Sequence, residues 1–377
     1  MVPNPFRLKA ERPAPWRRMA SCPPPKTRIS PAPVFCMNRC SMNHVPFGRT
    51  GLKVSPLTLG CMMFGGKTSA EDSYRIIDRA LDEGINVFDT ANVYNAGQSE
   101  EVTGAALKRN GKRDRVFLAT KVHGVMDETD PNMQGSSRRH IIQQCEASLR
   151  RLQVDHIDLY QLHRPRSDTP IDETLRAFDD LIRAGKVRYI GTSVFAAWQI
   201  MESLWCAKEL GLNRVVCEQP PYNLLDRRIE RELLPMCLTY GIATIPWSPI
   251  GGGLLTGKYR LGEPLPSGAR FADKVMAPHI RARLTDPSLA QVARLHPLAD
   301  AKGIPLSQFA LAWVLHQPGV TSPIVGPRTM EQFEDNLQAL AVKFTAEELK
   351  AIDVIVPPKS NTSPFYEADF GPHRYRW

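Results

Sequence analysis

The chain has 377 residues, of which 42% are hydrophobic and 23% charged, a composition that is typical of a globular protein and excludes a fibrous or wholly disordered one. The net charge of +9 is local, because residues 1–42 hold eight basic residues against one acid and so carry +7 of it. No apolar run approaches the roughly 20 residues that a membrane span needs. We therefore expect no membrane partner and no nucleic-acid partner for the remainder of the chain.

Residues 1–42 form a basic extension with nine prolines, which we predict to be disordered or to precede the true start, for which Met37 and Met42 are candidates. An arginine-rich, acid-poor segment also suits an organelle transit peptide, but prolines oppose the amphipathic helix of such peptides. The eight cysteines include no Cys-x-x-Cys pair, so we expect no metal site. Scattered thiols favour a reducing compartment, here the cytoplasm.

From residue 43 the chain predicts strands and helices in alternation, after a short hairpin over residues 47–54. Apolar stretches that suit strands lie at residues 57–60, 86–89, 116–121, 157–162, 187–193, 215–219, 242–247 and 323–326. Segments with helical periodicity follow them at about 69–84, 99–109, 137–152, 170–185, 196–210, 227–240, 286–302 and 305–317, and from 329. A long Gly- and Pro-rich loop runs from residue 248 to about 285.

Eight strand–helix units in succession predict an α/β fold, a (β/α)8 TIM barrel over residues 43–356. The barrel has an N-terminal β-hairpin, long active-site loops and an irregular tail at residues 357–377. The rival is a doubly wound sheet, which for dinucleotides carries a Gly-x-Gly-x-x-Gly pattern after its first strand. Residues 61–65, which follow the first predicted strand, lack that pattern, and the barrel is favoured.

Four chemically active side chains lie at or shortly after the ends of predicted strands, namely Asp89, Tyr94, Lys121 and His163. Strand ends in a barrel meet at one mouth, so we expect these side chains to converge. An ammonium beside a phenol favours the phenolate, and a carboxylate holds the ammonium in place. With an imidazole to orient a carbonyl oxygen, the set suits proton donation to a developing alkoxide. Each residue alone has an ordinary structural explanation, so the combination carries the prediction.

At this point the chain resembles the aldo-keto reductase superfamily, in particular its long-chain, aryl-alcohol-dehydrogenase-like members, over about residues 44–356. The segments that carry the resemblance are Gly84–Ala91 with Tyr94, Leu118–Lys121, Asp158–His163, Gly185–Gly191, Gln219–Asn223 and Trp247–Pro249. The resemblance implies a barrel with NADPH or NADP bound at its mouth. It implies Tyr94 as general acid, Lys121 and Asp89 as the pair that makes the phenol more acidic, and His163 as the group that orients the substrate.

The resemblance also implies a set of cofactor contacts, in which Ser193 and Gln219 hold the nicotinamide carboxamide, Trp247 stacks on the ring and Asp89 lies beside it. Further contacts are implied at Ser248, Pro249, Ile250, Gly251, Lys258 and Arg270 for the pyrophosphate, and at Gly326, Arg328, Gln332 and Asn336 for the adenosine 2′-phosphate end. A guanidinium at Arg328 suits a phosphate. The chain departs from the family at Val194, where an asparagine is usual, so one amide contact is missing.

Residues 252–258 nearly match a phosphate-binding P-loop, but Tyr259 stands where a Mg²⁺-binding Ser or Thr is needed. We therefore interpret the segment as a glycine-rich cofactor loop. The expected activity is NADPH-dependent reduction of a small-molecule aldehyde or ketone, or oxidation of the corresponding alcohol, with specificity set by loops 123–135 and 250–285 and by the tail.

Three alternatives stay open at this stage. The first is an aryl-alcohol or pyridoxine-type dehydrogenase. The second is a non-catalytic NADPH-binding regulatory subunit, because the family includes channel-associated members; His163 favours the enzyme, since those members resemble this chain but differ at that position. The third is nucleic-acid binding through the basic extension, which predicts salt-sensitive binding that deletion of residues 1–42 abolishes.

Overall fold

The structure is a computed structural model and describes residues 42–273, 277–363 and 365. The predictions made for the basic extension at residues 1–41, including its disorder and the candidate start at Met37, lie outside the described residues. So does the tail from residue 366.

The strands of the N-terminal hairpin are β1 Val45–Pro46 and β2 Lys53–Val54. Eight further strands, all parallel, form one curled sheet: β3 Thr58–Gly60, β4 Val87–Asp89, β5 Phe117–Val122, β6 Ile157–Leu162, β7 Val187–Ser193, β8 Val215–Gln219, β9 Ala243–Thr244 and β10 Ile324–Val325. Their order in the sheet is β10-β3-β4-β5-β6-β7-β8-β9. Backbone hydrogen bonds join the two ends of the sheet, from Thr321 N to Thr244 O and from Ile324 N to Pro246 O, both at 2.8 Å. The predicted (β/α)8 TIM barrel is confirmed.

The helices alternate with these strands and pack around them. Their bounds are α1 Ala70–Asp82, α2 Gln98–Asn110, α3 Arg138–Leu152, α4 Ile171–Arg183, α5 Ala197–Leu210, α6 Leu233–Tyr240, α7 Pro278–Arg281, α8 Asp286–Ala301, α9 Leu306–Leu315, α10 Met330–Gln338 and α11 Ala346–Ile355. The predicted start of α1 is confirmed, because the Ser69 hydroxyl accepts a hydrogen bond from Asp72 N at 3.1 Å. That bond satisfies one of the free amides at the helix start.

Two boundaries were predicted wrongly, and two helices were not predicted, the short α7 in the long loop and α11. Helix α6 begins at Leu233, because Arg227 is drawn into contacts with Glu230 and Asp353 and the chain from residue 228 makes only a 3₁₀ turn. Strand β9 covers two residues of the predicted stretch 242–247. Helix α11 was not foreseen, although Thr345 and Glu348 form a capping box at its start.

The hairpin closes one end of the barrel. Strands β1 (Val45–Pro46) and β2 (Lys53–Val54) pair antiparallel, so the predicted hairpin is present, although its first strand lies just before the predicted range 47–54. Phe47 between them is fully buried, and its ring packs edge-on against Phe117 at the start of β5, with 5.1 Å between centroids. Apolar side chains thus fill the amino-terminal end of the barrel, and the polar side chains collect at the carboxyl ends of the strands, where barrel enzymes hold their active sites.

Candidate active site

Lys121 is the centre of the polar cluster at the carboxyl ends of the strands. Its side chain is fully buried, and Nζ donates to Asp89 Oδ2 at 2.6 Å, to the Thr90 carbonyl at 2.8 Å and to the Tyr94 hydroxyl at 3.3 Å. Burial alone would lower the pKa of Lys121, but Asp89 and Tyr94 outweigh it, and the net pKa is raised. The ammonium therefore stays charged against the phenol oxygen.

The other carboxylate oxygen of Asp89 is held by two amides. Gln161 Nε2 and Gln219 Nε2 donate to Oδ1 at 3.2 and 2.9 Å. Asp89 is 3% exposed, so these bonds and the bond from Lys121 replace the water that burial removes. The carboxylate has one fixed orientation as a result.

His163 lies beside the phenol. The rings of His163 and Tyr94 meet edge to face, with 5.7 Å between centroids and 82° between planes. Burial, helped by the charges of Lys121 and Arg164, lowers the pKa of His163 well below its usual value. The imidazole is therefore neutral at neutral pH and can donate a hydrogen bond to a carbonyl oxygen without adding a second cation.

A tight turn after β4 aims Tyr94 back at the strand ends. Tyr94 begins a 3₁₀ turn in which Asn95 and Ala96 both have positive φ, at 51° and 54°. The Asn95 side chain supports this conformation, because Nδ2 donates to the carbonyls of Met62 and Phe64 at 3.0 and 2.8 Å. The polar run after Asp89 is therefore used to reverse the chain.

Ser193 and Gln219 are neighbours on β7 and β8. They are register partners, and the Ser193 hydroxyl donates to the Gln219 carbonyl at 2.9 Å. The next residue, Val194, is in the left-handed region with φ +58°. That conformation is unfavourable for a β-branched residue, so the departure noted in the sequence also marks a strained backbone.

The residues after β9 form the next wall of the mouth. Trp247 is half-buried, and its backbone N–H donates to the Pro220 carbonyl at 2.9 Å. Ser248 has φ +55° and its carbonyl accepts from Gly251 N at 2.9 Å. The predicted sites at Pro249 and Ile250 lie inside this turn. The predicted glycine-rich loop continues as a 3₁₀ turn in which Gly253 has φ +102°, a value that glycine adopts far more readily than other residues.

Three predicted phosphate-binding cations come together. Burial lowers the pKa of Lys258 and of Arg270, and the positive charge of Arg328 lowers both further, so all three cations lie within electrostatic reach of one another. Arg270 and Arg328 line a cavity of about 230 Å³ together with Lys67 and Asp273. The Lys67 and Asp273 side chains form an ion pair across it at 2.8 Å. Such a cluster of cations suits the phosphates of a dinucleotide, and the residues present fit that group.

The last predicted cofactor positions follow β10. Gly326 is exposed, directly after the strand, and Asn336 is 9% exposed on α10. The Gln332 side-chain oxygen accepts from the Arg328 backbone N–H at 2.9 Å. Gln332 thus shapes the loop at Arg328. Gly326 lies two residues before Arg328, and Asn336 lies one helical turn after Gln332 on α10.

Sequence reasoning did not assign three buried polar residues near this site. Gln161 is the register partner of Lys121, so the alternation of β6 was a signal that its side chain shares the barrel interior. Glu218 carries a carboxylate that is fully buried. Arg283, 8% exposed, gave no signal, because it lies in the long loop whose path no periodicity predicts.

Two further features concern the described part of the chain only. None of its helices is long and apolar enough to cross a membrane. Within the same residues, no group of three or more His, Cys, Asp or Glu side chains is arranged to hold a metal ion.

A cavity of about 570 Å³, larger than the one at Arg328, lies among the outer helices α1 to α3. It is lined by Tyr74, Glu101 and Arg151 among others and does not belong to the strand-end site.

Comparison with known proteins gives the same family for most of the chain. The model of the Aldo/keto reductase family matches residues 56–357. The Bacillus subtilis (strain 168) protein named "Uncharacterized oxidoreductase YrpG" is 40% identical over 331 residues, 86% of this chain and 98% of that protein. The Arabidopsis thaliana protein named "Probable voltage-gated potassium channel subunit beta" is 38% identical over 330 residues, 86% and 100%. The Aspergillus parasiticus "Versiconal hemiacetal acetate reductase" is 35% identical over 342 residues, 85% and 98%.

Proposed function

We propose, from the premise that the chain belongs to the aldo/keto reductase family of oxidoreductases, that it reduces aldehydes or ketones to alcohols with NADPH and that Tyr94 is the general acid. One observation carries the proposal, namely the buried Lys121 ammonium, which bonds both Asp89 and the Tyr94 hydroxyl. The "reductase" in the name of the Aspergillus relative supports it. We infer that residues 43–356 form the catalytic barrel.

In this proposal each side chain has one task. The carbonyl oxygen of the substrate lies between the Tyr94 hydroxyl and the neutral His163 imidazole, and both donate to it. As negative charge develops on that oxygen, Tyr94 transfers its proton, and the Lys121 ammonium stabilises the phenolate that remains. Asp89 keeps the ammonium in position throughout, because Gln161 and Gln219 fix the carboxylate.

The cofactor would be held along the mouth. When bound, NADPH supplies the hydride. Ser193, Gln219 and Trp247 would surround its nicotinamide end, and Lys258, Arg270 and Arg328 would neutralise its phosphates, with Ser248–Gly251 lining the path between them. The preference for NADPH over NADH rests on Arg328, because a guanidinium pairs well with a 2′-phosphate.

A second candidate is a cofactor-binding regulatory subunit, because relatives from Arabidopsis thaliana and Oryza sativa carry names of potassium channel β subunits. The presence of His163 against Tyr94 favours the enzyme. An alcohol dehydrogenase acting in the reverse direction would use the same groups.

We place the protein in the cytoplasm, which agrees with the five free, buried cysteines of the described chain.

The experiment that tests the proposal compares the parent with Tyr94→Phe, using NADPH and 4-nitrobenzaldehyde. Phenylalanine keeps the ring and removes the acidic proton, so we expect turnover to fall by at least about 100-fold while NADPH binding is retained. Tyr189→Phe is the matched control, because this phenol lies near Phe117 at the closed end of the barrel. Equal turnover in parent and Tyr94→Phe would remove Tyr94 from its role. Firm NADPH binding without turnover of any carbonyl by the parent would favour the regulatory subunit.

A further inference from the structure

Arg283 is a buried cation next to the mouth of the site. Its side chain is 8% exposed. The guanidinium lies over two aromatic rings, 5.6 Å from the centroid of Trp247 and 4.8 Å from that of Phe365. Nη2 donates to the Phe365 carbonyl at 2.8 Å, whereas the buried Nε has no hydrogen-bond partner among the described residues. A buried donor without a partner is costly, and a buried cation is normally paired.

Within the part of the chain that the structure describes, the charges around Arg283 do not supply that partner. Asp226 is the nearby carboxylate, but Arg228 bonds both its oxygens, at 2.8 and 2.7 Å, and Phe365 N donates to Oδ2 at 3.1 Å. Burial, together with the positive charges of Arg270 and Arg164, lowers the pKa of Arg283 to about 10. Among the described residues, the charges that act on Arg283 are therefore mainly positive, and a bound anion would relieve their repulsion.

The position of Arg283 links this charge to the reacting end of the site. The Trp247 ring beneath the guanidinium is the proposed nicotinamide wall, with 5.6 Å between the guanidinium and the ring centroid. The positive charges of Arg270, which we assign to the phosphates, and of Arg164, which follows His163 in the chain, both act on Arg283. Arg283 thus lies next to the proposed nicotinamide end of the site.

We propose that Arg283 recognises an anionic substituent of the substrate, so that the preferred substrates are aldehydes or ketones that carry a carboxylate away from the carbonyl group. The inference rests on the proposed function, since it names the substrate class of the same site. The alternative source of the anion is a phosphate of the cofactor. We favour the substrate, because Arg270 and Arg328, which we assign to the phosphates, line a cavity whose lining residues do not include Arg283.

The test uses two aldehydes that differ in one charge, 4-carboxybenzaldehyde and its methyl ester. In the parent we expect kcat/KM to favour the carboxylate by about tenfold or more, the size expected of one charge-assisted hydrogen bond. In Arg283→Gln the ratio should fall to near one, and Arg283→Lys should keep part of it. Because the ratio is taken within one variant, a general loss of folding or turnover cancels.

Arg294→Gln is the matched control, since Arg294 is an exposed arginine on helix α8, and it should keep the parental ratio. Two further measurements are the Kd for NADPH and, by calorimetry, the binding of 4-carboxybenzaldehyde to the NADP complex. A parent that does not distinguish the two aldehydes, in turnover or in binding, overturns the inference. An Arg283→Gln variant that loses NADPH affinity and keeps the ratio also overturns it and assigns Arg283 to the cofactor. Binding of the carboxylate that depends on Arg283, without turnover, supports the anion site and rejects the reductase.

Discussion

Replacing Lys121 with methionine should lower the free energy of unfolding by about 3–5 kcal/mol, the usual cost of removing one partner from a buried ion pair. Lys121 is fully buried and Asp89 is 3% exposed, so water does not take the place of the ammonium. Gln161 and Gln219 continue to donate to Oδ1 of Asp89, but Oδ2 loses its 2.6 Å bond. The variant therefore leaves a carboxylate that is half satisfied in the barrel interior.

The double variant Asp89→Asn/Lys121→Met separates this effect from simple loss of packing. Asp89→Asn alone leaves the Lys121 ammonium buried without its carboxylate counter-charge, with the Thr90 carbonyl and the Tyr94 hydroxyl still as neutral partners. The double variant has neither buried charge. Its cost should therefore be smaller than the sum of the two single costs, by about 2 kcal/mol, which lies within the range measured for residues in contact.

The measurement is urea unfolding of the four proteins without cofactor, with fluorescence and circular dichroism followed together so that two-state behaviour is checked. Carbonyl reduction by the same proteins should be lost in all three variants. Single costs that add to within about 0.5 kcal/mol would refute the reasoning, because additivity is the behaviour of independent sites. The coupling free energy between Asp89 and Lys121 would then be close to zero.

Two further outcomes are expected. The pKa of Glu218 is raised by burial to about 8, so above its unfolded value near 4.5 the folded state holds a proton that the unfolded state has lost, and the free energy of unfolding falls as pH rises. Between pH 6.5 and 8 the parent should lose about 1–2 kcal/mol relative to Glu218→Gln in urea unfolding, and parallel curves would contradict this. Arg328→Gln should weaken NADPH binding about tenfold and leave NADH binding nearly unchanged in fluorescence titrations; an equal loss for both would argue against a 2′-phosphate contact.

Most of the fold could be predicted because each strand and helix carries its own local signal. Strands β7 and β8 have the predicted bounds, residues 187–193 and 215–219, since short apolar runs between turn residues leave little choice of limits. Helix α6 was placed too early, because Arg227 makes distant contacts, to Asp353 and to the Val356 carbonyl. Tertiary contacts of this kind override local helix preference and leave no periodic trace in the sequence.

The site was predictable to the extent that strand ends determine it. Asp89, Tyr94 and Lys121 were expected to converge. In the structure, Asp89 and the Tyr94 hydroxyl both lie within hydrogen-bonding distance of the Lys121 ammonium. Arg283 could not be found in this way, because it reaches Trp247 from a loop that makes no regular pairing. Residues supplied by strands follow from register, whereas residues supplied by loops depend on the three-dimensional path of the loop.

At Val194 the sequence and the structure draw attention to different features of the same residue. In sequence it is a missing amide, but in the structure the backbone conformation is the more informative feature, with φ +58°. Such a conformation costs on the order of 1–3 kcal/mol and persists because strand β8 holds both sides of the turn. Ser193 Oγ donates to the Gln219 carbonyl at 2.9 Å, and Phe195 N donates to Glu218 Oε1 at 3.1 Å. Asparagine tolerates the left-handed region better than valine. The left-handed conformation at Val194 is therefore maintained by the hydrogen bonds of Ser193 and Phe195 to strand β8, and not by a preference of Val194 itself.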